Sequence, residues 1–275
     1  MSGTLYLVPT PIGNLGDISR RMAETMELAD FIAAEDTRVT VKLLNHLDLK
    51  KPMVTYHRHN CGPAGEAILA RLLAGENCAL VTDAGTPAIS DPGEDLVALC
   101  AANGVPVIAV PGPCALVTAL SVSGLPTGRF TFEGFLPMNK KNRRAHLDSL
   151  RQEQRTMIFY EAPHKLTDTL ADLRSVFGGE RRISLCRELT KLHEEVVRTT
   201  LDGAVASYAD REPRGEFVLV VEGAQPVTAE ADPEAALDRV EQLREEGLSL
   251  KEAAAKAAEE FGMKKRQLYD MALGK

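Results

Sequence analysis

Short apolar runs rich in Val, Ile and Leu recur along the first half of the chain, each separated from the next by a stretch with helical spacing, which is the pattern of β-α-β units. The runs at 5–8, 31–34, 79–82 and 107–110 predict strands, and the spacing between them predicts helices over 19–28, 38–47, 63–74 and 93–103. Unbroken apolar strands of this kind suit a mostly parallel sheet covered by helices on both faces. After Pro126 the rhythm restarts at 130–133, 156–160, 183–186 and 216–221, predicting a second, mixed sheet with more antiparallel pairing. Gly and Pro cluster over 124–128, which marks the boundary between the two. Beyond Glu222 the composition breaks, and 225–233 reads as a linker. Past it, Ser249 is placed to cap a helix, and 261–269 resembles the turn and second helix of a helix-turn-helix. The expectation is a two-lobed α/β protein: an N-terminal lobe over 1–124, a second α/β lobe over 125–224 and a small helical tail over 234–275.

Composition adds limits. With 44% hydrophobic and 26% charged residues in 275, the chain matches an ordinary globular protein long enough for more than one domain. No basic segment precedes a long apolar stretch at the N-terminus, and no window reaches the roughly 18 apolar residues of a membrane span, so a cytoplasmic protein away from membranes is expected. Cys61, Cys78, Cys100, Cys114 and Cys186 are odd in number and scattered, as reduced core residues are. A net charge of -7 argues against nonspecific coating of nucleic acid but leaves room for local basic patches. Lys140, Lys141, Arg143 and Arg144 form one, expected as a mobile loop beside a cleft; Arg181-Arg182 and Lys264-Lys265-Arg266 are others.

Candidate chemistry sits in the loops that follow the strands, because open α/β sheets bind ligands outside the carboxyl ends of their strands. Three such loops, 9–17, 83–93 and 111–115, are rich in Gly, Pro and small polar residues. Glycine admits close approach of backbone to a ligand and proline holds a loop in one shape, so together they predict a preorganised slot for a flat, nucleoside-like molecule. No Lys or Arg lies within them, which speaks against a large phosphate load. Neither a G-x-G-x-x-G fingerprint nor a P-loop nor a G-x-S-x-G elbow is present. His57, His59 and Cys61 would share a face if extended, but no fourth ligand motif accompanies them, and a polar cleft lining is the favoured reading over a metal site. Two further stretches, 160–165 and 186–195, are dense in proton-handling groups; for the latter a surface ion-pair network stands equally with catalysis.

The segments LYLVPTPIGNLGDIS (5–19), AAEDTR (33–38), LVTDAGTPAISDPG (80–93), VPGPCALVTALSVSGLP (110–126), FEGFLP (132–137), FYEAPHKL (159–166) and CRELTKLHEE (186–195) together resemble the tetrapyrrole methylase family, in its branch acting on small-subunit ribosomal RNA. The first loop departs from the G-x-G-x-G-D form of relatives that methylate porphyrin precursors, with Pro9, Pro11 and Gly13 ahead of Asp17. That departure argues against a porphyrin-type substrate and leaves the cofactor reading intact. The resemblance implies S-adenosylmethionine held between two lobes, lined by Pro11, Asp83, Ala84, Gly85, Ile89, Cys114, Ala115, Tyr160, Glu161 and Phe217. It also implies a homodimer and, as acceptor, the 2'-hydroxyl of a cytidine in small-subunit ribosomal RNA, free or in the assembled subunit.

Methyl transfer from a sulfonium is an in-line displacement, so alignment is the enzyme's main task. A ribose hydroxyl is a weak nucleophile at neutral pH, and a base or a cation near the developing alkoxide helps. Glu188 is the candidate base and Lys165 the candidate cation, with His164, Asp36 and Arg38 orienting substrate. Two rival readings are methylation of a small tetrapyrrole-like molecule and a non-enzymatic nucleic-acid-binding regulator working through the helical tail.

Overall fold

The computed structural model describes residues 2–225 and 233–274, which cluster into two compact units, Met1–Ala224 and Gln225–Lys275. Most of the expected linker, 226–232, lies outside the described residues. The first unit opens with β1 (Leu5–Leu7), α1 (Arg20–Leu28), β2 (Phe31–Ala34), α2 (Thr37–His46), β3 (Met53–Thr55), α3 (Cys61–Leu73), β4 (Cys78–Val81), α4 (Glu94–Ala102), β5 (Val107–Ala109) and α5 (Ala115–Val122). Its strands form an all-parallel sheet in the order β3-β2-β4-β1-β5. Alternate side chains of a strand point to opposite faces. Phe31 and Ala33 accordingly enter one buried cluster with Tyr56, Ile68 and Leu96, and Ile32 and Ala34 enter another with Met22, Met26 and Leu44. Burial on both faces is the reason these strands read as unbroken apolar runs.

The chain continues through β6 (Phe130–Phe135), α6 (Lys140–Ser149), β7 (Thr156–Glu161), α7 (Leu166–Phe177), β8 (Arg182–Arg187), β9 (Glu195–Thr200), α8 (Leu201–Ser207) and β10 (Phe217–Val221). This second sheet is mixed, ordered β6-β7-β10-β8-β9, with β6 and β7 parallel and the other neighbours antiparallel. One face packs Met157, Phe159, Leu185 and Leu219 against Leu147, Leu170 and Leu201 of its helices. The other packs Ile158, Cys186, Val218 and Val220 against Leu116, Ala119 and Leu120, so α5 joins the two sheets.

Lys140, Lys141, Arg143 and Arg144 are not a loop, contrary to expectation. They begin α6, because the Asn139 carbonyl oxygen of the side chain accepts from the Lys141 and Asn142 amides and caps the helix. Helical periodicity then divides the basic run. Arg143 turns inward to Thr169 and Asp172, Arg144 pairs with Asp148 and Ser175, and Lys140 and Lys141 remain exposed. The segment after Tyr56 is likewise not extended: 58–60 turn, and Cys61 opens α3.

In the second unit α9 (Pro233–Glu245), α10 (Leu250–Glu260) and α11 (Lys265–Ala272) enclose a core of Ala253, Ala254, Ala257, Ala258, Val240, Leu243 and Leu268. Ser249 caps α10 in a reciprocal capping box with Glu252. No helix among the described residues is long and apolar enough to cross a membrane.

Candidate active site

Three loops at the carboxyl ends of β1, β4 and β5 are tied to one another by hydrogen bonds to backbone carbonyls. The Thr10 and Gly85 amides each donate to the other's carbonyl, at 2.9 and 3.0 Å. The Thr10 hydroxyl donates to the Thr82 carbonyl at 3.0 Å, and the Thr86 hydroxyl donates to the Pro113 carbonyl at 2.8 Å. Gly85 sits at φ +87°, and a Cβ there would press on Ile12 at 3.4 Å. At Gly112 a Cβ would come within 2.9 Å of Pro9. Glycine is therefore demanded by geometry at both positions.

The opposite wall comes from the second sheet. The Tyr160 hydroxyl accepts the Leu116 amide at the start of α5, at 3.1 Å, so the tyrosine is anchored to the loop that follows β5. Burial pushes its phenol pKa up, beyond the titration range of ordinary tyrosines. Phe132 and Phe135 meet the Tyr160 ring edge-on, with centroids 4.9 and 5.6 Å away. Between the walls lies a cavity of about 610 Å³, within the size range of small-molecule sites.

Of the residues singled out for a cofactor, Asp83, Ala84, Gly85, Ile89, Cys114, Ala115, Tyr160, Glu161 and Phe217 all line this cavity, whereas Pro11 does not and its neighbour Ile12 does. Glu161 is buried and turned inward, its carboxylate accepting from the Ala162 amide and the Thr169 hydroxyl. Of the residues singled out for catalysis only His164 lines the cavity; Lys165, Glu188, Asp36 and Arg38 do not. Asp36 caps α2 and forms an ion pair with Arg38 at 2.6 Å, and that guanidinium holds its carboxyl down at about 2. Its amide also donates to the Asp83 carboxylate at 3.2 Å. Glu188 stands in a left-handed conformation, φ +51°, and its Oε1 accepts from Lys191 Nζ at 2.8 Å and from the Glu216 amide at 2.9 Å. Burial raises its pKa, but those two hydrogen bonds together with the charges of Lys191 and Arg187 outweigh it and the net shift is downward.

Sequence reasoning passed over Glu35, Ser90, Asp91, Phe135 and Glu216, which line the cavity too. Glu35 lies in AAEDTR (33–38) and Asp91 in LVTDAGTPAISDPG (80–93), where a carboxylate beside a ligand loop is the signal of a site residue. Burial raises the pKa of Glu35, helped by Asp91 and Asp83. Burial likewise raises Asp83, with Asp36 adding to it, and raises Asp91 against the opposing pull of Arg58. Carboxylates line the cavity, and among the described residues no Lys or Arg does. Such a lining favours a cationic ligand over a phosphorylated one.

The model for Tetrapyrrole (Corrin/Porphyrin) Methylases matches residues 4–205. The chain belongs to this family. It is an enzyme, a methyltransferase. The model for an RsmI C-terminal HTH domain matches residues 230–275. Two relatives named ribosomal RNA small subunit methyltransferase I are similar along nearly their whole length. The one from Synechocystis sp. is 49% identical, covering 98% of each chain, and the one from Pseudomonas aeruginosa is 47% identical, covering 99% of this chain and 97% of its own. Among solved structures, uroporphyrin-III C-methyltransferase from Thermus thermophilus complexed with S-adenyl homocysteine shares the fold, with a TM-score of 0.57 and 17% identity over 80% of this chain and 97% of its own.

Proposed function

We propose that this enzyme methylates small-subunit ribosomal RNA, at the ribose 2'-hydroxyl of a cytidine, and works as a cytoplasmic homodimer built from the lobes 1–124 and 125–224 and the helical tail 234–275. The methyl donor is S-adenosylmethionine. The observation that carries the reading is a cavity walled by both sheets, lined by carboxylates and small residues with no Lys or Arg among the described residues, in a chain whose relatives along nearly their whole length are named ribosomal RNA small subunit methyltransferase I.

When bound, the donor supplies a methyl group on a cationic sulfur for in-line transfer to an oxygen. The residues present fit it. Asp83, Ala84, Gly85, Ile89, Cys114 and Ala115 hold it from the first sheet, Pro11 shapes the loop that carries Ile12, and Tyr160, Glu161 and Phe217 hold it from the second. Their small side chains and pinned backbone keep the slot open before the ligand arrives, so little ordering accompanies binding. On the acceptor side His164, Lys165, Asp36 and Arg38 orient the RNA at the mouth. Glu188 serves as a strut, because its carboxylate is already engaged by Lys191 and Glu216 and its lowered pKa makes it a weak base. One carboxylate, Glu35 or Asp91, takes the single hydroxyl proton: both line the cavity and both hold protons more tightly than ordinary carboxylates.

Mass spectrometry of small-subunit RNA from cells with and without the gene tests this. One 2'-O-methylcytidine is expected to vanish with the gene and to return when purified enzyme and donor are added to isolated subunits. An unchanged nucleoside profile sinks the reading.

A further inference from the structure

Phe135 lines the cavity yet is 57% exposed, while its neighbour Leu136 fills the core. A regular strand would not present it there. Phe132 and Phe135 are three apart, and the two-residue alternation of a strand would send them to opposite faces. The β6–β7 pairing instead slips between Phe132 and Gly134: Phe132 pairs with Ile158, Gly134 with Phe159 and Phe135 with Tyr160, leaving Glu133 as the extra residue. Gly134 takes φ +62°, where a Cβ would meet nothing within 4 Å, so the glycine serves backbone conformation and not close packing. Such bulges re-aim a side chain. Here the outcome is that both phenylalanines reach Tyr160, with Phe135 at the cavity mouth.

Past Phe135 the chain leads outward through Met138, 83% exposed, to Lys140 and Lys141, which are exposed and carry no ion pair among the described residues. An aromatic followed by free cations is the arrangement that grips unpaired nucleotides, with a ring for the base and ammonium groups for the phosphates.

We propose that Phe135 is the platform on which the base of the acceptor nucleotide stacks, with the adjoining RNA strand running past Met138 to Lys140 and Lys141. The inference rests on the ribosomal RNA reading above and adds what the enzyme requires of its substrate: a nucleotide unstacked from its neighbours.

The test measures binding of small subunits isolated from cells lacking the gene to the full-length enzyme and to F135A, F135L and F135W. S-adenosylmethionine affinity by calorimetry and sedimentation velocity are measured alongside. Removing one stacking ring is expected to weaken subunit binding about fivefold to a hundredfold in F135A. F135L should be as weak as F135A, and F135W should stay near the parent, with donor affinity and sedimentation unchanged in all three. If F135L binds as well as the parent, apolar area suffices and stacking is wrong. Donor affinity lost in step with subunit binding would make Phe135 a wall of the donor site only. A changed sedimentation coefficient would mean that another copy of the chain covers it. Failure of the parent enzyme to bind or methylate the subunits overturns the RNA reading itself, a result distinct from any defect confined to the variants.

Discussion

The two walls of the cavity are built on different principles. The first sheet contributes loops whose position is set by hydrogen bonds to backbone carbonyls and by glycines: the Thr10–Gly85 bridge, the Thr86 hydroxyl on the Pro113 carbonyl, Gly85 at φ +87° and Gly112, where a Cβ would meet Pro9. The second contributes side chains, Phe135, Tyr160 and Phe217, aimed by strand register and by one bulge. Backbone-defined walls are rigid before a ligand arrives, and side-chain walls select among ligands by shape and stacking. On the proposed reading, donor binding is most sensitive at the first wall, and within the second wall Phe135 bears on the acceptor while Tyr160 and Phe217 face the donor.

The sharpest way to break that division is Gly85→Val. A β-branched side chain at φ +87° is strained and would press on Ile12. Strain of up to about 3 kcal/mol corresponds to affinity for S-adenosylmethionine falling on the order of 100-fold. Calorimetry decides: a variant that binds the donor as tightly as the parent would remove the slot from this rim.

A smaller effect separates charge from shape. Glu35, Asp83 and Asp91 all have pKa values raised chiefly by burial. A raised pKa means that the folded protein holds the proton more tightly than the unfolded chain. Stability of the ligand-free protein should therefore fall as pH rises from the ordinary carboxylate range through these raised values. A bound sulfonium offsets the ionised carboxylates, whereas the neutral thioether of S-adenosylhomocysteine does not. Preference for the donor over the product is thus expected to grow with pH through that window, by about tenfold for each unit by which the cation lowers the carboxylate pKa values. Titrations of both ligands at several pH values check it, and a ratio flat with pH would leave the carboxylates without a role in sensing the sulfonium.

The same division explains what could be read from the chain. Gly85, Gly112 and the prolines around them advertise themselves because a backbone role demands particular residue types. The double-faced burial of Phe31–Ala34 and Cys78–Val81 writes an unbroken apolar run. Tyr160 and Phe217 came through likeness to a family and not through pattern. Phe135 was hidden because its orientation depends on a register slip, which periodicity alone cannot reveal. Met53–Thr55 escaped as a strand because it is a half-exposed edge of three residues with no apolar run. Glu188 and Lys165 were chosen for chemical type. Type does not tell whether a carboxylate is free, and that of Glu188 is occupied by Lys191 and the Glu216 amide.

The basic run that opens α6 gives the smallest effect, and it shows how a helix sorts charges that sequence presents as one patch. Each phosphate contact on a single strand adds about 0.7 to the slope of log affinity against log salt. Four contacts would contribute nearly three units, but Arg143 is buried against Thr169 and Asp172, and Arg144 is engaged by Asp148 and Ser175. Of the four, only Lys140 and Lys141 are exposed and without an ion pair among the described residues. Replacing both by Ser should lower the slope by about 1.4, which amounts to roughly a sevenfold smaller change in affinity across a fourfold change in salt. Arg144→Ser should leave the slope as it is. Arg143→Ser should act on a different axis, lowering thermal stability because it removes a buried guanidinium that donates to Thr169 and pairs with Asp172, while RNA binding by the folded fraction keeps the parent's salt dependence. Subunit binding measured from low to moderate salt, with melting temperatures for each variant, separates these cases. A slope that drops as far in Arg143→Ser or Arg144→Ser as in the double lysine variant would mean that the ion pairs of α6 open on RNA and that the whole run is the binding patch.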